Sequence, residues 1–183
     1  MRKFTIVVLP FLLLATALLY AQQDKSKRFS LPGTATVSFP DGKKITVDYS
    51  RPKINDPKTG QPRKIMGGLV PYGKEWRTGA NEATTFVTDT NLKVGDLSVP
   101  AGNYTLYTIP GESEWTIIIN KQTGQWGTVY KEDQDLGRTK VKSEKIPDTV
   151  QEFTISFDPA TGKSTNMNLE WENTKVVVPI AEE

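Results

Sequence analysis

One stretch, Val70-Pro-Tyr-Gly-Lys-Glu-Trp-Arg-Thr-Gly-Ala-Asn-Glu-Ala-Thr-Thr-Phe86, gathers most of the groups in this chain that suit ligand chemistry. Tyr72 and Trp76 offer flat apolar faces. Arg77 is a planar cation, Asn81 an amide that both donates and accepts, and Glu82 a carboxylate. Aromatic faces beside such groups suit a sugar or a peptide end. Trp126, in Gln125-Trp-Gly127, is the sixth candidate for that ligand surface. The same residues would also make a sound structural corner. Trp76 would then sit in the core and Arg77 would pair with Glu82 across the turn, because a half-buried carboxylate needs a partner. The sequence leaves both readings open.

Catalysis is narrowly bounded. The chain has no His and no Cys. That removes Ser-His and Cys-His nucleophile pairs, ordinary zinc sites, His- or Cys-ligated haem and iron–sulfur clusters and histidine pH sensing. No catalytic residue, metal or cofactor is assigned. A glycosidase-like hydrolase built on Glu82 needs a second acid about 5–10 Å away, and nothing discriminates Glu75, Glu112 and Glu114 for that role. Gly162-Lys-Ser164 imitates the end of a phosphate loop, but the glycine required five positions earlier is Phe157. Gly111-Glu-Ser-Glu-Trp115 lacks the second glycine of a nucleophile elbow.

These residues must be positioned by strands. Helical periodicity is nearly absent beyond the first 21 residues, and short β-rich runs alternate with turn signals. Thr34–Phe39 and Lys44–Ser50 flank an Asp41-Gly42 turn, with Ile45, Val47 and Tyr49 on one face. Arg51–Met66 is rich in Pro, Lys and Gly and reads as a long surface loop, a candidate rim or lid. Strands recur at Ala83–Thr88, Asn91–Val94, Asp96–Val99, Tyr104–Ile109 and Glu114–Asn120, whose Ile117-Ile-Ile119 predicts a central strand buried on both faces. The charged stretch Lys131–Lys145 is either an edge strand or a short helix with a loop. Glu152–Phe157, Ser164–Glu172 and Thr174–Ile180 complete the pattern. Nine or ten strands without crossover helices predict an all-β fold, an antiparallel β-sandwich of jelly-roll or immunoglobulin-like type.

Residues 1–21 read as a secretory signal peptide. Arg2 and Lys3 precede the apolar run Ile6–Leu19, and Ala21 is the small residue before Gln22. The run falls short of the roughly 20 residues that span a bilayer. The expected organisation is signal 1–21, linker 22–33 and a single domain over 34–183. The whole chain holds 23 Lys+Arg and 21 Asp+Glu, so loss of Arg2 and Lys3 leaves 21 against 21. A formal charge of zero makes no electrostatic case for nucleic acid or an anionic membrane. Without disulfides, an exported domain of this size must rely on burial alone.

Three blocks besides the opening one carry a family resemblance: Val99-Pro-Ala-Gly-Asn-Tyr-Thr-Leu-Tyr-Thr-Ile-Pro-Gly111, Glu114-Trp-Thr-Ile-Ile-Ile-Asn120 and Gln125-Trp-Gly127. With Gly67–Thr84, they resemble the bacterial domain of unknown function 2911 family over residues 30 to 180. The resemblance implies an exported bacterial β-rich domain, periplasmic or extracellular. It carries no established activity and no catalytic residues. The expected function is a non-catalytic binding module for a small-molecule, glycan or peptide ligand. It needs no nucleic acid and no membrane insertion after signal cleavage. The alternatives are the carboxylate hydrolase, or an assembly module using edge strands or the 51–66 loop.

Overall fold

The structure is a computed structural model that describes residues 25–183; the expected signal peptide lies outside the described residues. After a 3-10 turn at Lys25–Lys27 come nine strands: β1 Leu31–Ser38, β2 Lys44–Arg51, β3 Thr84–Thr88, β4 Leu92–Val94, β5 Leu97–Val99, β6 Gly102–Ile109, β7 Glu114–Asn120, β8 Asp135–Phe157 and β9 Ser164–Glu182. They form one antiparallel sheet in the order β1-β2-β3-β6-β7-β8-β9-β4-β5. The chain is all-β, with the expected number of strands. β1 begins inside the segment expected to be linker, because Leu31–Gly33 pair with Tyr49–Arg51.

Period-two alternation explains the first strands. Ile45, Val47 and Tyr49 are buried, and Asp48 between them is exposed. Gly42, at φ 89°, makes the turn before β2. β7 breaks the alternation because it is covered twice. Ile117 and Ile119 join the main core. Ile118 joins Tyr107 and Ala83 in a second, smaller cluster beneath Tyr130. The loop 121–134 therefore lies over the outer face of β6 and β7.

The stretch Lys131–Lys145 takes the strand alternative: after a 3-10 turn at Glu132–Gln134 it enters the 23-residue β8. Residues 135–142 pair with β7 alone, and pairing with β9 begins at Ser143. The charges alternate outward. Val141 is buried while Lys140 and Lys142 are exposed, and Lys140 pairs with Glu114 across the ladder at 2.8 Å.

Because β8 belongs to both halves of the sheet, the halves share one core that draws side chains from all nine strands. Tyr49 ties them together. Its hydroxyl accepts the Ile155 N–H at 2.9 Å and lies 3.3 Å from the Ile155 carbonyl, to which it donates. Residues 52–54 then run along β8, with Phe153 N–H donating to Pro52 O and Ile54 N–H to Gln151 O. This starts the 51–66 segment at the mouth of the cleft described below.

Candidate functional site

The Val70–Phe86 corner is clamped by backbone bonds. Trp76 and Thr108 exchange N–H···O bonds of 2.7 and 2.9 Å, and Gly73 N–H donates to Pro110 O at 2.8 Å. Thr78, at φ 52°, is a buried β-branched residue in the left-handed region, a conformation of order 1–3 kcal/mol above the ordinary one. Thr84 Oγ1 donates to its carbonyl at 2.8 Å, and Thr78 Oγ1 meets Thr108 Oγ1 at 3.1 Å. Asn81, at φ 61°, tolerates the same region more easily. The strained turn sits directly beside Arg77.

Trp76 belongs to both core and cleft. Its ring stacks on Trp171 at 5.9 Å and meets the edges of Trp115 and Phe153 at 6.1 and 4.9 Å. Its indole N–H donates to Gly79 O at 3.1 Å. One edge, with Trp171 behind it, forms the floor of a cleft of about 600 Å³. The 51–66 segment supplies one wall through Lys53, Asp56 and Arg63, so that loop is a rim. Arg77, Asn81, Trp126, Phe29 and Leu69 also line the cleft. Trp126 is 50 % exposed and Phe29 70 % exposed.

The structure brings together four of the six candidate residues. Trp126, distant in sequence, joins the corner because Ala83 N–H donates to Gln125 O and Gly127 N–H to Asn81 O. Gly127 is required there: a Cβ would overlap Arg77 Cδ and come within 2.8 Å of Asn81 O. The loop behind Trp126 is fixed by Asp135, which accepts from Asn120 Nδ2, Tyr130 Oη and Arg138 Nε, each at 2.8 Å. Burial, then Asp135 as neighbour and hydrogen-bond acceptor, pushes the Tyr130 hydroxyl up to about 12, so it remains a donor.

Tyr72 does not line this cleft. Its ring covers the Gly67 turn, where a Cβ would come 2.8 Å from Cε2. Asn81 lines it, but its amide N–H groups are spent on Ser30 O and Ser50 Oγ.

The Arg77–Glu82 pair does not form. Glu82 turns to the other side of the rim, into a recess of about 300 Å³ with Lys25 and Asp48. There it accepts from Arg28 Nη1 at 2.6 Å and faces Lys25 Nζ at 3.5 Å. Burial pushes its carboxyl up, but the Arg28 bond, its own backbone N–H and the two cations outweigh that and hold it below the usual range. Alternation from Phe86 would put Glu82 on the core face within reach of Arg77, but β3 begins only at Thr84 and the positive-φ Asn81 breaks the pattern, so Glu82 lies with Asp48 and Thr85 on the outward side, where Arg28 arrives from 54 positions away.

Arg77 is thereby left without an acid. Arg28 pairs with Glu82, Arg51 with Glu152, Arg63 with Asp56 and Arg138 with Glu132 and Asp135. Among the described residues, Arg77 alone of the arginines has no carboxylate within ion-pair range. Its Nε is buried without a hydrogen-bond partner. Burial lowers its pKa, opposed only by the Tyr107 hydroxyl.

The model for proteins of unknown function (DUF2911) matches residues 30–180. The chain belongs to the DUF2911 family. No curated protein and no solved structure matches it. The DUF2911 match spans every strand but the end of β9, and so includes the whole cleft except Phe29.

The sequence marks none of Phe29, Lys53 or the Asp56–Arg63 pair as a site residue, and alternation marks Trp171 only as an inward-facing residue of its strand. Only the composition of 51–66 signalled a rim. Among the described residues no group of three or more acids could hold a metal ion.

Proposed function

We propose that this DUF2911 chain is an exported, non-catalytic binding module whose ligand occupies the cleft between the Trp76–Asn81 corner, the 51–66 rim and Trp126. The observation that carries this reading is Arg77: a guanidinium with no acid partner, beside an exposed tryptophan, in a cleft of about 600 Å³. Small-molecule sites typically enclose about 300–1,000 Å³, apolar in the main with a few placed polar groups. A half-buried guanidinium whose Nε is enclosed without a partner costs stability, and the strained Thr78 turn beside it adds to that cost. Such a combination is tolerated more readily where a ligand repays it. Export rests on the charged, apolar and small-residue regions of residues 1–21, and places the protein in the periplasm or outside the cell.

Glu82 is a poor general acid or nucleophile in this reading. It lies outside the cleft and is held ionised by Arg28 and Lys25. A hydrolase built on it has no support from the geometry.

The test is calorimetry and thermal shift on the purified protein against peptides and glycans, with Trp126→Ala as control. Trp126 is exposed, so its removal should leave the melting temperature nearly unchanged while weakening any ligand. If wild-type and variant respond alike to every compound, the cleft is not the binding surface.

A further inference from the structure

We infer that the ligand of this cleft carries a carboxylate and that Arg77 is the residue that reads it. The inference rests on the binding reading above and adds the ligand's charge and the group that recognises it.

Three observations converge. The first is the pairing pattern. Four described arginines have carboxylates within 4.0 Å, and Arg77, which lines the cleft, has none. Its side chain makes no hydrogen bond to a described residue, and Nε is its only nitrogen that is buried without a partner. The two terminal nitrogens are therefore unpaired and not fully enclosed. A guanidinium presents donors in a planar fork that matches a carboxylate. The stem cannot swing freely to find an acid elsewhere, because it runs beneath Gly127 with no room for even a methyl group between them.

The second is the sign of the unsatisfied groups. Two buried side-chain atoms of the cleft residues lack a hydrogen-bond partner, Arg77 Nε and Trp171 Nε1. Both are N–H donors. Outside the cleft the orphaned atoms are mixed, donors on Arg51 and Trp115 and acceptors on Gln122 and Gln125. What the wall lacks is an acceptor.

The third is the charge of the lining. Lys53, Arg63 and Arg77 face Asp56 and Glu75. Arg63 and Asp56 answer each other at 3.8 Å, and Asp56 is further held by the N–H groups of Lys58 and Thr59. Lys53 and Arg77 remain against Glu75 alone, so the cleft favours an anion. The exposed rings of Trp126 and Phe29 supply apolar area for the rest of the ligand.

A carboxylate beside an apolar or sugar face can come from the free C-terminus of a peptide or from an acidic sugar. Matched pairs separate the sources. Calorimetry on the purified protein would compare aromatic tripeptides with a free or an amidated C-terminus, and disaccharides ending in glucuronate or glucose. In one pair the acid should bind at least roughly tenfold tighter than its neutral partner, the worth of one good charge-assisted contact. Which pair responds identifies the source. Arg77→Met should abolish that preference and Arg77→Lys should retain part of it, whereas Trp126→Ala should weaken acid and neutral members alike. Far-UV circular dichroism establishes that each variant is folded. Should Arg77→Met not fold, Arg77→Lys and the acid–neutral comparison on the wild type still decide the matter. Equal binding of acid and neutral members would overturn the inference and leave the binding reading standing. Failure of all four compounds to bind would overturn both.

Discussion

The packing of Gly127 on Arg77 can be tested by adding one methyl group. In Gly127→Ala the new Cβ would overlap Arg77 Cδ, sit 2.9 Å from Arg77 Cβ and 2.8 Å from Asn81 O. Unbonded Cβ contacts below 3.0 Å essentially never occur, so the arginine stem or the Asn81 carbonyl must move. Overpacking of this kind costs about 1–3 kcal/mol. The Gly127 N–H bond to Asn81 O, which holds Trp126 beside the corner, would weaken with it. Urea denaturation of wild type, Gly127→Ala, Arg77→Ala and the double variant forms a cycle. Removing the arginine stem frees part of the space, so Gly127→Ala should cost about 1 kcal/mol less in the Arg77→Ala background. Full relief is not expected, because Asn81 O stays. A cost below ~0.5 kcal/mol in wild type, or an identical cost in both backgrounds, would refute this account of the contact and of Arg77's immobility.

Three further outcomes are expected. Trp76→Ala, which removes a ring packed on Trp115, Phe153 and Trp171, should destabilise by about 3–5 kcal/mol in urea titrations. Glu82→Gln should cost about 1 kcal/mol near neutral pH, because Glu82 and Lys25 are exposed enough for screening while Arg28, only 16 % exposed, loses its acid. Since the folded-state carboxyl of Glu82 is held below its ordinary value, its contribution is present above the unfolded pKa and fades as pH falls through the lowered folded one. The acid limb of the stability curve should therefore be shallower in Glu82→Gln than in wild type. Tyr49→Phe orphans the buried Ile155 N–H and should cost about 1–3 kcal/mol, with no change in calorimetric ligand binding because Tyr49 lies outside the cleft.

Most of the fold was legible because β-structure writes itself in a local code. Alternation in Lys44–Ser50 and the triple isoleucine of β7 show which faces are covered, and Gly42 shows where the chain turns. β8 was not legible. Its charged half pairs with β7 alone, and a strand whose inward residues are Gly137, Thr139 and Val141 carries too little apolar signal to be told from a loop with a short helix.

By itself, the sequence determined that this is a histidine-free, cysteine-free all-β chain of the DUF2911 family with its reactive groups on one corner. Tertiary structure alone decided how those groups are shared out. Glu82 goes to Arg28, Tyr72 to the Gly67 turn and Asn81's amide to Ser30 and Ser50. Trp126 arrives through backbone bonds to Asn81 and Ala83. Arg77 is left facing a cleft without its expected partner. The reason is that a charged side chain pairs with whichever acid the folded backbone brings within a few ångströms, and the positive-φ turn over residues 78–81 sends Arg77 and Glu82 to different recesses.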